Sequence, residues 1–343
     1  MKIYVDAYLA KNLGDDLFIN ILTTRYPEHK FYAISKGEKG YDTKNFKVYS
    51  NVYMFKALKK FQWEKHLANH YDAVVTIGGS MFMERGDTNR DFSLGKNKRY
   101  VLGINFGPYK TQEYYNSIHN MLSNVEDVCF RDKYSYNLFK DLPNVRQAAD
   151  IVFSMDMSNI KNTNRKRAII SIISPKDKIN KKYKKQYEEK MLELISFLIV
   201  KGYEICLMSF CKIEHDEEEI EEIYSKIPEK QRKNVEKYYY DGNVEEALNT
   251  IADSQLVVGG RFHANIIGLC LGKSILPVLY SDKTLHVLQD MQIDTPIIDI
   301  RNLESFDIKS ITDDDLTRHY DVEKQKEDAQ RHFEKLDLQL KKT

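Results

Sequence analysis

The feature that most constrains this chain is a rhythm: short runs rich in Val, Ile and Tyr recur along it, separated by longer stretches of helical period. Runs that are apolar throughout are buried on both faces, and strands separated by helices are joined by crossovers. The rhythm therefore predicts parallel sheets covered by helices, an α/β chain throughout. In the first half the expected strands are KIYVDAY, FYAIS, AVVTIGG, YVLGINFG, VCFRD and IVFSM, with helices near 15–26, 54–69 and 112–124, which makes one doubly wound unit. The polar, basic stretch SNIKNTNRKR at 158–167 interrupts the rhythm and reads as a linker.

The second half repeats the pattern: RAIISIIS, a long helix at 181–201, EICLMSF, an acidic helix, KYYY, a helix at 244–252, LVVGGRFH, a further helix, ILPVLY and IIDI. This is a second Rossmann-like unit. The closing DVEKQKEDAQRHFEKLDLQLKK is a charged amphipathic helix with no strand after it, so it must dock on something already folded and is expected to cross back. The expected domains are 1–157, 158–322 and a crossing helix at 323–343.

A length of 343 residues agrees with about two domains. The 52 Lys and Arg against 51 Asp and Glu leave a net charge of +1, so no global field draws the chain to nucleic acid or to an acidic bilayer. Asp6 and Lys11 interrupt the first apolar run, which lacks the h-region of a secretory signal. The longest apolar stretches are cut by Glu193, and by Lys273 and Pro277, so no spanning segment is expected. Cys129, Cys206, Cys211 and Cys270 form no C-x-x-C pair and are expected as buried thiols, which points to the cytoplasm. The basic run at 176–190 and the acidic run at 214–222 read as solvated helix faces, and the basic one could also touch anionic lipid at the inner face of a membrane.

Doubly wound sheets bind ligands beyond the carboxyl ends of their strands, so the loops after each strand are where chemistry is expected. After the first strand stand Asn12, Gly14, Asp15 and Asp16, where an acid can cap the coming helix but capping accounts for one acid only. After AVVTI stand Gly78, Gly79 and Ser80, which would bring backbone N–H groups to a ligand or simply make a tight turn. After LVV stand Gly259, Gly260, Arg261 and His263, ahead of a small, apolar helix. The glycines admit an anion to the backbone, Arg261 offers a planar fork, and His263 can exchange a proton. The competing reading pairs Arg261 with a structural acid and has His263 cap the helix. Arg131 and Lys283 also follow strands, which would bring three cations to one cleft. G-x-G-x-x-G, G-x-x-x-x-G-K-[ST], H-E-x-x-H and G-x-S-x-G are all missing, so dinucleotide, P-loop, zinc and nucleophile-elbow chemistry have no support.

NLGDD, IGGS, FRD with Ser135 after it, AADIV, and GGRFHANIIGLCLGKSILPVLYSDK, in that order, resemble the polysaccharide pyruvyl transferases. The resemblance implies a GT-B-like fold, two Rossmann-like domains facing across a cleft, and transfer of pyruvate from phosphoenolpyruvate to two sugar hydroxyls as a cyclic ketal. It implies His263 as general acid with Arg261 and Asp15 as catalytic partners. Arg131, Arg261, Lys283, Gly259 and Gly260 would hold the donor, and Asn12, Asp16, Gly78, Gly79 and Ser80 the acceptor. Phosphoenolpyruvate is then a co-substrate, with no bound cofactor and no metal, and the partner is a saccharide, free or polyprenyl-diphosphate-linked. Two other classes stay open: a nucleotide-sugar glycosyltransferase of the same fold, and a non-catalytic component of a polysaccharide assembly complex.

Overall fold

The computed structural model describes residues 1–35, 43–50, 69–84, 98–175 and 182–340. Unit 1 comprises Met1–Leu9, Asp15–Met155 and Lys324–Thr343; unit 2 comprises Ala10–Gly14 and Asp156–Glu323.

Unit 1 runs β1 (Lys2–Asp6), α1 (Leu13–Arg25), β2 (Lys30–Ser35), β3 (Phe46–Ser50), β4 (Ala73–Ile77), β5 (Arg99–Ile104), α2 (Gln112–Leu122), β6 (Asp127–Phe130), α3 (Lys133–Phe139) and β7 (Val145–Gln147). Its sheet has the order β3-β2-β1-β4-β5-β6-β7 with every pair parallel. The central strands β4, β5 and β6 are buried at every position, which is why their sequences are mainly apolar rather than alternating, with Thr76, Arg99 and Asp127 as the polar positions. Val101, Ile104, Val128 and Phe130 meet Ile118 of α2 and Phe139 of α3 in one cluster.

Two readings change here, and one expectation lies outside the described residues. IVFSM is a 3₁₀ turn, Ile151–Ser154, because the Asp150 carboxylate accepts from Val152 N at 2.9 Å and starts a turn; the residues are apolar because they are buried, and a short apolar run does not by itself distinguish strand from turn. The strands β3 and β7 carry polar residues on half-exposed edges and give little apolar signal. The helix expected near 54–69 lies outside the described residues except at its last position.

Unit 2 runs β8 (Arg167–Ser171), α4 (Lys182–Val200), β9 (Glu204–Met208), α5 (Asp216–Lys226), α6 (Glu229–Arg232), β10 (Val235–Tyr238), α7 (Val244–Ala252), β11 (Leu256–Gly259), α8 (Phe262–Cys270), β12 (Ser274–Leu279), α9 (Asp282–Asp290) and β13 (Ile298–Asp299). Its parallel sheet, β10-β9-β8-β11-β12-β13, repeats the strand order of unit 1 without its last strand. Tyr187, Met191, Leu194, Ile195 and Leu198 place one apolar stripe of α4 on this sheet, each side chain contributing roughly 1.5–3 kcal/mol on burial.

The chain end belongs to unit 1. Asp337, in the helix Glu334–Leu340, accepts from Arg25 Nη2 and Tyr26 OH, both at 2.7 Å, and Asp328 accepts from Ala149 N at 2.7 Å. Among the described residues no helix is long and apolar enough to cross a membrane. The four cysteines are free thiols, three of them buried, and burial pushes Cys129 and Cys211 up to about 12.

Candidate active site

In both sheets the strand order reverses beside the first strand: between β1 and β4 in unit 1, and between β8 and β11 in unit 2. The segments Asn12–Asp16, Gly78–Ser80 and Gly259–His263 all follow strands that border these switch points, where doubly wound folds place ligands.

The unit 2 constellation is built on β11. A Cβ on Gly260 would lie 2.4 Å from the carbonyl oxygen of Ser171 on the neighbouring strand, so only glycine fits. Gly260 N donates to that oxygen at 3.1 Å and Arg261 N to Ser171 Oγ at 3.3 Å. A Cβ on Gly259 would lie 2.1 Å from Asn265 Oδ1, while Asn265 Nδ2 donates to Gly259 O at 3.0 Å and Arg261 O at 3.3 Å. The close approach that both glycines permit is thus made by groups of the protein itself.

Arg261 is the N-cap residue of α8, and its side chain turns back onto two acids. Nε donates to Asp216 Oδ2 at 3.0 Å, Nη2 to Asp216 Oδ1, and Nη1 to Glu214 Oε2 at 2.5 Å. Burial alone would lower the pKa of this guanidinium; the charges of Asp216 and Glu214 outweigh it and hold the group above the ordinary arginine value. Asp216 also accepts from the backbone N–H groups of Phe210 and Cys211 at 3.1 and 3.0 Å. The structural-acid pairing weighed from the sequence is therefore present. The acidic run is a solvated face only in part: Glu218, Glu221 and Glu222 are exposed, whereas Asp216 and Glu219 share the buried side of α5 with Ile220 and Ile223, at i, i+3, i+4 and i+7.

Asn12 closes the group. Its Oδ1 accepts from Gly14 N at 3.1 Å, which makes Asn12, rather than Asp15 or Asp16, the residue that caps α1; the cap must precede the helix, and both acids already lie in its first turn. Its Nδ2 donates to Glu214 Oε1 at 3.3 Å. The chain here is held by Leu13 N donating to Phe210 O at 3.0 Å. The half-buried His263 ring lies on Gly14, where a Cβ would stand 1.9 Å from Nδ1, and packs edge-on against Phe262 with centroids 4.9 Å apart. Asn12, Gly14, Glu214, Asp216, Arg261 and His263 are thus brought together within unit 2. Lys283 is half-buried in the first turn of α9.

In unit 1 the guanidinium of Arg131 is buried. Nη1 donates to Asp150 Oδ2 at 3.0 Å and Nη2 to Asn105 Oδ1 at 2.7 Å. It lies on Gly79, where a Cβ would stand 2.8 Å from Nη1. Ser80 Oγ donates to the same Asn105 oxygen at 3.3 Å, joining the Gly78–Ser80 loop to Arg131. Asp15 is half-buried and Asp16 buried in the first turn of α1, where carboxylates favour the positive end of the helix dipole; Asp15 Oδ1 is 3.8 Å from the Cβ position of Gly78.

Sequence reasoning missed Glu214, Asp216 and Asn105. For Asp216 a signal existed: it lies one turn before Ile220 and two before Ile223, on their face. Of the basic run, 176–181 lie outside the described residues; Lys184 pairs with Glu188 at 3.4 Å, Lys185 with Glu189 at 3.6 Å and Lys190 with Glu193 at 2.9 Å.

Residues 10–282 match the sequence model of the polysaccharide pyruvyl transferases. The amylovoran biosynthesis protein AmsJ of Erwinia amylovora is 23% identical over 286 residues, which cover 74% of this chain and 68% of that protein. Among solved structures, UDP-GlcNAc 2-epimerase of Methanocaldococcus jannaschii, in complex with UDP-GlcNAc and UDP, superposes with a TM-score of 0.63 at 10% identity, over 98% of this chain and 100% of its own. Anabaena Alr3699/HepE, in complex with UDP and glucose, gives a TM-score of 0.55 at 11% identity over 99% and 98%. At such identities these likenesses show the fold, two parallel-sheet α/β units of the GT-B-like class. The match across 10–282, with Asn12, Arg131, Asp150, Arg261 and His263 inside it, shows that the chain belongs to the polysaccharide pyruvyl transferase family.

Proposed function

We propose that this protein transfers pyruvate from phosphoenolpyruvate onto two hydroxyls of a hexose, galactose-like or other, in a surface polysaccharide or its lipid-linked precursor. The observation that carries the reading is the placing of Arg261 and His263 at the switch-point end of β11 in a chain of this family. Imidazole exchanges protons near neutral pH, and the chemistry needs such a group.

In this reading His263 protonates the methylene carbon of the donor as one sugar hydroxyl adds to the adjacent carbon. Phosphate then leaves with the bond electrons and takes up the proton of the first hydroxyl, and the second hydroxyl closes the ketal; its proton returns to the imidazole. One phosphoenolpyruvate and one diol give one ketal and one phosphate, with no oxidant or reductant. Arg261, Arg131 and Lys283 serve the donor's carboxylate and phosphate, with the Gly259 and Gly260 backbone beside them, while Asp15 and Asp16 orient or deprotonate sugar hydroxyls beside Gly78, Gly79 and Ser80. No metal or cofactor is called on. Membrane contact through 176–190 and a cytoplasmic site of action belong to the same proposal.

The test is to incubate the purified chain with phosphoenolpyruvate and a panel of aryl and lipid-linked glycosides. The expected product is a glycoside heavier by the ketal, with one phosphate released per product. Consumption of a nucleotide sugar in place of phosphoenolpyruvate overturns the reading in favour of glycosyl transfer.

A further inference from the structure

Arg261 is the residue the proposed function needs for an anion, yet its fork is already occupied by two carboxylates of very different character. The Asp216 side chain is 0% exposed and accepts four N–H donors, from Phe210, Cys211 and twice from Arg261. Removing it from the guanidinium would leave a buried charge unpaired. The Glu214 side chain is 26% exposed and ends a 3₁₀ turn, Lys212–Glu214, ahead of the left-handed His215 at φ 64°. Its carboxylate therefore borders solvent, where water can take the place of its N–H donors.

Glu214 also binds in a particular way. One oxygen takes Arg261 Nη1 and the other takes Asn12 Nδ2. The orientation of the Asn12 amide is set from outside the pair, because Gly14 N claims its oxygen. Two N–H donors from different parts of the chain therefore point at the two oxygens of one carboxylate, which is how a protein receives a carboxylate or phosphate of a ligand.

We propose that Arg261 Nη1 and Asn12 Nδ2 form a single two-donor oxyanion seat, and that Glu214 fills it as an internal stand-in that the anionic ligand displaces. The seat takes a carboxylate or a phosphate, and its use in turnover rests on the pyruvyl-transfer reading. With Glu214 in place, one guanidinium faces two carboxylates and the group repels anions. With Glu214 turned out, Arg261 and Asp216 balance and both donors are open. Asn12 then serves the donor anion, not the acceptor sugar.

The experiment measures binding of inorganic phosphate and, separately, of pyruvate to the full chain by calorimetry. Glu214→Gln keeps the shape and removes the charge, so it should bind the accepted anion about tenfold more tightly than the wild type. Adding Asn12→Ala should return most of that gain, and thermal unfolding of each variant confirms the fold. Tightening for phosphate alone assigns the seat to phosphate, and for pyruvate alone to the carboxylate. In turnover, Glu214→Gln should lower KM for phosphoenolpyruvate without raising kcat. A folded Glu214→Gln that binds both anions no more tightly than wild type overturns the seat, whatever the turnover result. Tightening in a protein that never consumes phosphoenolpyruvate leaves the seat standing and overturns the transfer reading instead.

Discussion

Arg131 and Arg261 invite comparison, since each follows the end of a sheet strand, each is buried, and each has glycines close by: Arg131 lies on Gly79, and Arg261 directly follows Gly259 and Gly260. In unit 1 the guanidinium is clamped by Asp150 and Asn105, which are themselves buried, and it fills the space over Gly79. In unit 2 one of the two acids on Arg261 reaches solvent, and the glycine of that group, Gly14, carries the His263 ring instead. The difference separates an arginine whose named partners are buried from one with a carboxylate partner at the solvent boundary, which is the partner the proposed seat would exchange.

The largest effect expected from this comparison is at Gly14. A methyl there would overlap the imidazole, so Gly14→Ala must turn His263 away, and turnover should fall by about 10²–10⁴, as for His263→Ala. The fold should survive, since alanine suits the first turn of a helix better than glycine does. Steady-state kinetics beside circular dichroism decide it; near-normal turnover in Gly14→Ala would remove His263 from the proton-transfer role.

Next in size are the buried carboxylates. Every donor around Asp216 points at it, so Asp216→Asn must aim its NH₂ at another N–H and leave the buried guanidinium of Arg261 with Glu214 as its remaining carboxylate, at a cost of about 3–5 kcal/mol. Asp150→Asn keeps the Asn105 contact to Arg131 and should cost less, about 2 kcal/mol. Urea unfolding curves rank the two, and a larger loss at Asp150 breaks the contrast between the units.

The two sites were unequally legible in the sequence. Most of the strands and the loops after them followed from apolar periodicity, because burial on both faces leaves a continuous mark, whereas the strand order did not. Arg261 and His263 were found because glycines at a strand end are conspicuous, although those glycines serve Ser171 and Asn265. Glu214 and Asp216 were not found, because an acidic run looks solvated until its spacing to Ile220 and Ile223 is weighed. Asn105 gave no signal, since its role depends on Arg131 reaching it from another strand.

A smaller effect is expected at Gly79. The atoms a Cβ would meet are the ends of the Arg131 guanidinium, at 2.8 and 2.9 Å, which can shift by part of an ångström where the backbone oxygen facing Gly260 cannot. Gly79→Ala should lose about 1 kcal/mol and Gly260→Ala about 2–3 kcal/mol, compared by thermal unfolding. Equal losses would mean that Arg131 is held as rigidly as a strand.

The last contrast is in pH dependence, where the units should respond with opposite sign. In unit 1, burial lowers His332 from 6.5 to about 4; Nε2 meets Ala149 O at 2.8 Å, and Nδ1 has no partner among the described residues, so the folded ring is neutral. The unfolded chain takes up a proton first, and stability present above about pH 6.5 is lost as pH falls toward 4. In unit 2, burial raises Glu219 from 4.5 to about 7, against the pull of Lys184 at 3.7 Å and with the push of Glu188 and Glu222; its Oε1 also has no partner among the described residues. Here the folded state holds the proton longer, so stability present below about pH 4.5 is lost as pH rises toward 7. Between pH 7 and 5, unit 1 should weaken and unit 2 strengthen, each by roughly 1–2 kcal/mol. Hydrogen exchange resolved by peptide and corrected for intrinsic rates reads the units separately. Glu219→Gln should flatten the response of unit 2 alone, and parallel loss in both units on acidification would show that these two groups do not govern it.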